Sequence, residues 1–121
     1  MGRRLVCDEE IQTMEDYLKS YGLNRKLLRL DRYERRFFGY EPKEEELPGE
    51  LTLVRAKMYE VRHFIMNMEN RDEKLMLYYH YIRGESVEKC AELLGISRSS
   101  GFRLKKRALI RAVEEYERLR D

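Results

Sequence analysis

The sequence predicts an all-α fold, a helical bundle that ends in a long C-terminal helix, and three observations lead there. Apolar residues recur at steps of three and four along most of the chain, the period of an amphipathic helix rather than of a half-buried strand. Only two prolines and seven glycines punctuate 121 residues, which argues against an all-β fold rich in tight turns. Charged residues make up 40% of the chain beside 42% hydrophobic, a balance that suits thin helices with much solvated surface around one modest core.

The first helix is expected from about Asp8 to Ser20, with Ile11, Met14, Leu18 and Tyr21 on one stripe and Gly22 ending it. Asn24 is expected to cap a second helix, in which Leu27, Leu30, Tyr33 and Phe37 share one face. Arg25, Arg29, Arg32 and Arg36 share another, read as a solvated face partly offset by Asp31 and Glu34, with a second nucleic-acid contact as the less favoured reading. Residues 39 to 50 combine Pro, Gly and five acids and read as an exposed linker. Beyond it Val54, Met58, Val61, Ile65 and Met68 repeat at 4, 3, 4 and 3, a seam expected of a helix packed lengthwise in the core.

From Asn70 the signals are dense. Asn70 with Glu73 predicts an N-cap and its reciprocal acid, and Leu75, Leu77, Tyr78, Tyr81 and Ile82 predict an apolar helix ending at Gly84. Ser86 starts a short helix with Val87, Cys90, Ala91 and Leu94 on one side, and Gly95 ends it. Ile96 and Ser97 lead into the next helix. A small residue at the crossing (Ala91), a turn residue free to take positive φ (Gly95) and an apolar plug (Ile96) are the parts a helix-turn-helix needs. Cys90 reads as a small buried hydrophobe.

The net charge of +2 identifies no partner, but its distribution is uneven. Six basic residues and no acid fall between 98 and 113, whereas Asp8, Glu9, Glu10, Glu15 and Asp16 make the N-terminus acidic. A merely solvated helix would show acids at i±4 to balance its cations, and none stands within 98 to 113. At 100° per residue Gly101, Leu104 and Ala108 share a buried face, and Ser99, Phe102, Arg103 and Lys106 the opposite one. That opposite face is expected in the major groove of double-stranded DNA, with Arg103 paired to a guanine and Ser99 or Phe102 at a base edge or thymine methyl. Arg98, Lys105, Lys106, Arg107 and Arg111 are expected at phosphates, and Ser100 lies with Arg98 and Ser99 in the N-terminal turn that meets the duplex.

The stretch EKLMLYYHYIRGESVEKCAELLGISRSSGFRLKKRALIRA resembles region 4 of sigma-70-type factors and the sigma-like phage late-gene regulators of the ArpU and RinA type. The likeness spans roughly 58 to 113. It implies a domain from 51 to 121 that reads promoter-like DNA through the helix from Ser97, preceded over 1 to 50 by a helical hairpin and the acidic linker. The chain is too short for the promoter-melting and core-binding parts of a sigma factor, so a stand-alone regulator or a recruiter of RNA polymerase is implied. The family commonly places an apolar core residue where Gly101 stands. Gly101 is therefore expected to cost the recognition helix roughly 1 kcal/mol of propensity relative to Ala.

Two alternatives stay open: an adaptor whose helix-turn-helix faces protein, and a small-terminase-like component of phage DNA packaging. Past Ala108 the apolar stripe rotates to Leu109, Ala112, Val113, Tyr116 and Leu119, which can dock on the N-terminal helices or on another protomer, so a homodimer stays open too. No enzyme is expected: His63 and His80 stand in no HExxH or GxSxG motif. Cys7 and Cys90 form no CxxC pair, so neither a metal, a cofactor nor a disulfide is expected, and a cytoplasmic location is. No apolar run approaches the roughly 20 residues that span a bilayer, so no membrane partner is expected.

Overall fold

The computed structural model describes residues 5–39 and 48–120. Five α-helices make up the all-α architecture: α1 (Asp8–Phe38), α2 (Pro48–Met66), α3 (Arg71–Leu77), α4 (Val87–Leu94) and the long C-terminal α5 (Arg98–Arg120). A π-helical segment, Tyr78–Ile82, continues α3 without a break. No described helix is long and apolar enough to cross a membrane.

The helical hairpin expected of the N-terminal region is one helix of 31 residues. Gly22 does not take positive φ, and nothing lies within 4 Å of where a Cβ would stand. A glycine inside a helix costs about 1 kcal/mol, whereas two new helix ends would leave up to eight backbone groups without intrahelical partners. Continuity wins, and Asn24 is an interior residue rather than a cap. The helix begins with Asp8, Glu9 and Glu10 and closes with Arg35 and Arg36, each set complementing the dipole at its end. It stops at Gly39, whose φ of 62° supplies the left-handed C-cap. Residues 40–47 of the expected linker lie outside the described residues, and α2 already begins at Pro48, a residue pre-set for a first turn.

The main core joins α1, α2, the π segment and the second half of α5. Met14 and Leu18 meet Val61, Phe64, Ile65 and Met68, then Leu77, Tyr81 and Ile82, then Ala108, Leu109, Ala112 and Val113. Of the seam expected in α2, Val61, Ile65 and Met68 are buried, while Val54 and Met58 are half-buried. The rotated stripe of α5 docks within the chain: Leu109, Ala112 and Val113 are buried here, and Tyr116 packs edge-on to Phe64 and beside Tyr17.

A second, smaller core lies between α3, α4 and the start of α5. Met76, Val87, Cys90 and Leu104 are buried in it, with Tyr79, Leu94 and Ile96 packed at its edge. Burial raises the Cys90 thiol pKa, as expected of a thiol used as a hydrophobe. The short helices owe their limits to local chemistry. Asn70 Oδ1 accepts the Glu73 N–H at 3.0 Å, Ser86 Oγ accepts the Lys89 N–H at 3.1 Å, and Gly95 ends α4 at φ 71°.

Candidate nucleic-acid interface

The hydroxyl of Ser97 accepts the Ser100 N–H at 3.2 Å and so caps α5. It also meets the Ser100 hydroxyl at 2.9 Å and the Ser99 hydroxyl at 3.3 Å. The turn between α4 and α5 is Gly95, Ile96 and Ser97. Ile96 plugs the small core, so the turn is held by burial as well as by hydrogen bonds.

The two helices cross where Gly101 faces Ala91. A Cβ on Gly101 would stand 2.8 Å from the Ala91 Cβ and 3.6 Å from both Val87 Cγ1 and the Val87 carbonyl oxygen. The glycine thus trades helix propensity for a close approach that carbon atoms in van der Waals contact do not permit. This approach holds the first turns of α5 against α4, and with them Arg98, Ser99 and Ser100.

On the opposite side of α5, Ser99, Phe102, Arg103 and Lys106 are all exposed, Phe102 by 45% of its surface. Arg103 and Lys106 have no ion-pair partner among the described residues. The Arg98 guanidinium lies 5.8 Å from the Phe102 ring centroid and 3.3 Å from Glu88 of α4. Arg103 also borders a shallow cleft shared with Asp72, Leu94, Ile96, Ser100 and Arg107.

The other three cations expected at phosphates have internal partners. Lys105 Nζ lies 3.1 Å from Glu15 of α1. Arg107 Nε lies 3.3 Å from one carboxylate oxygen of Glu73, and Arg111 Nε 3.5 Å from the other. Glu73 is only 1% exposed, and its Oε2 has no hydrogen bond, so the Arg111 charge is its remaining support. The reciprocal half of the Asn70 cap is therefore absent: Glu73 turns inward to the arginines instead of back to Asn70. Of the six cations between 98 and 113, only Arg111 has an acid at helical spacing within α5, Glu114 at 4.0 Å; the acids that meet Arg98, Lys105 and Arg107, and the buried one that meets Arg111, come from α1, α3 and α4. Sequence spacing along α5 carries no sign of them, because all three come from other elements.

Glu15 anchors a second polar cluster, accepting the Tyr81 hydroxyl of the π segment beside Lys105 and Lys19. Burial opposes its ionisation, but Tyr81 and the lysines outweigh burial and hold the carboxyl below its ordinary pKa. His80 is half-buried, with Nδ1 at 2.7 Å from the Glu85 carbonyl oxygen, the geometry of Nδ1–H donating. Burial chiefly, with the ammonium charges of Lys105 and Lys19, depresses its pKa against the opposing Glu85 carbonyl and Glu15. A lowered folded pKa means that the unfolded chain binds the proton first. The neutral imidazole's contribution is thus complete above about pH 6.5. It is lost as pH falls through the lowered folded value. Thermal melts from pH 8 to pH 5 should show Tm falling below pH 6.5, and His80→Gln should flatten that fall; equal slopes would refute the assignment. The loss from Glu15 follows at lower pH, beneath the ordinary carboxyl range.

Of the α1 arginines, Arg25 donates to the Ile82 carbonyl oxygen at 3.1 Å and Arg35 pairs with Asp31 at 3.0 Å. Arg29, Arg32 and Arg36 are exposed. No group of three or more His, Cys, Asp or Glu among the described residues has the arrangement of a metal site. No protein-family model, curated protein or solved structure matches the chain.

Proposed function

We propose that this protein is a sequence-specific double-stranded DNA-binding transcriptional regulator that reads the major groove with α5, as its likeness to sigma-70 region 4 implies. The observation that carries the reading is the exposed set Ser99, Phe102, Arg103 and Lys106 on the outer face of a capped helix, with both cations unpaired among the described residues. An unpaired guanidinium is free to bond a guanine edge through two parallel hydrogen bonds, and an unpaired ammonium to meet a phosphate. Arg98 is mostly exposed on a single surface ion pair, which a phosphate can displace at small cost. Lys105, Arg107 and Arg111 act first as scaffold, so their contribution to the duplex is smaller than charge counting along the sequence would give.

Roles divide by the number of base pairs each contact can distinguish. Arg103→Ala is expected to relax sequence preference at one position, costing about 1–3 kcal/mol on the preferred site and little elsewhere. Lys106→Ala is expected to weaken binding to every duplex alike and to reduce the slope of log K against log salt by about 1. Selection of bound fragments from random duplex DNA, followed by salt titrations of the two variants on the enriched motif, tests both. An absence of enrichment at low salt, or two variants that bind as the parent does, would sink the reading.

A further inference from the structure

We propose that the distal half of α1 is a dimer interface, packing antiparallel on the same segment of a second copy about a two-fold axis through Leu30. Leu23, Leu27, Leu30, Tyr33 and Phe37 form an apolar stripe there, each 51–62% exposed. At 100° per residue they lie within about 60° of the Leu30 direction and extend for about 21 Å. The half-buried residues of this segment lie on the other face, at Tyr21, Asn24, Leu28 and Asp31.

The stripe matches itself. Its members stand at −7, −3, 0, +3 and +7 from Leu30. A two-fold axis at Leu30 therefore sets Leu23 against the partner's Phe37, Leu27 against the partner's Tyr33, and Leu30 against its own copy. The lateral offsets fit as well: residues at +n and −n lie at mirrored angles on the wheel, and a two-fold axis perpendicular to both helices keeps each residue on its own side, so the two members of a pair sit side by side in one layer and fill opposite sides of the seam. Charge follows the same symmetry: Lys26 at −4 and Glu34 at +4 lie about 40° to either side of the Leu30 direction, within the stripe, and each shares a layer with the opposite charge of the other copy. A closed dimer requires this of a surface, that residue i meets j while j meets i. An unrelated partner would need neither the symmetric spacing nor opposite charges at equal offsets.

The interface does not depend on the nucleic-acid reading, and its test uses no DNA. Sedimentation of the full chain across micromolar concentrations should give the dimer mass, and Leu30→Glu, which sets two carboxylates against each other at the axis, should give the monomer. Circular dichroism checks that the variant keeps its helices; the half-exposed position gives the monomer no reason to unfold. Lys26→Glu or Glu34→Lys alone should weaken the dimer, by roughly fivefold since the symmetry repeats the pair, and the double exchange should restore it. In a Cys7→Ser background, Leu30→Cys should crosslink to its own copy under mild oxidation. A monomer at all concentrations, or a dimer indifferent to Leu30→Glu, overturns the interface. A double exchange no better than the single changes, or no crosslink, overturns the two-fold register.

Discussion

The Arg107→Ala/Arg111→Ala double variant is expected to lose about 3 kcal/mol of unfolding free energy, because it leaves the Glu73 carboxylate buried without a counter-charge. Glu73 is 1% exposed between α3 and α5, and these two guanidinium groups are its partners. The loss sits at the low end for a broken buried pair, since both arginines keep some access to water and water can follow them in. Glu73→Met in the double-variant background should regain most of the loss, because an apolar side chain of similar length leaves no buried charge to compensate. Chemical denaturation of the three proteins measures this directly. A double variant as stable as the parent would mean that Glu73 holds itself by other means. The result also governs how α5 is dissected: a loss of DNA affinity on removing Arg107 or Arg111 has to be separated from a loss of folded protein.

Gly101→Ala should destabilise by about 1–2 kcal/mol, the cost of overpacking less the propensity an alanine gains over glycine. On propensity alone the substitution would stabilise the helix, so the sign of the effect decides between the two. The added methyl meets the Ala91 Cβ at 2.8 Å, and neither carbon has a rotamer to yield. Ala91→Gly in the same chain opens that space and should return part of the stability, a coupling that distant sites would not show. If Gly101→Ala raises Tm instead, α4 and α5 do not approach as closely as described. Because the crossing sets the tilt of the first turn of α5, the single variant should also lower affinity for the selected DNA more than its stability loss alone requires.

The caps were legible because they are local. Asn70, Ser86 and Ser97 each meet an N–H three residues ahead, and Gly95 takes the positive φ that its place after α4 demands. The outer face of α5 was legible for the same reason, as helical period alone sets Ser99, Phe102, Arg103 and Lys106 on one side. Gly22 misled because a glycine marks a helix end only when the backbone needs left-handed φ, and here it does not. The π segment at Tyr78–Ile82 had no signal in the apolar spacing, which a helix with one widened turn satisfies almost as well as a regular one.

What the sequence determined by itself is the all-α class, the order of the elements from Asn70 on, the turn at Gly95 and the exposed face of α5, all of which follow from interactions within a few residues. What only the tertiary structure decided is how many of the α5 cations are free. Glu15, Glu73 and Glu88 lie between 10 and 90 residues from the cations they meet, on three other helices. Electrostatic pairing depends on distance in space, and helical period carries no information about that. The same holds for Gly101, whose cost is local and visible in any propensity scale, whereas its benefit exists only where α4 comes within reach.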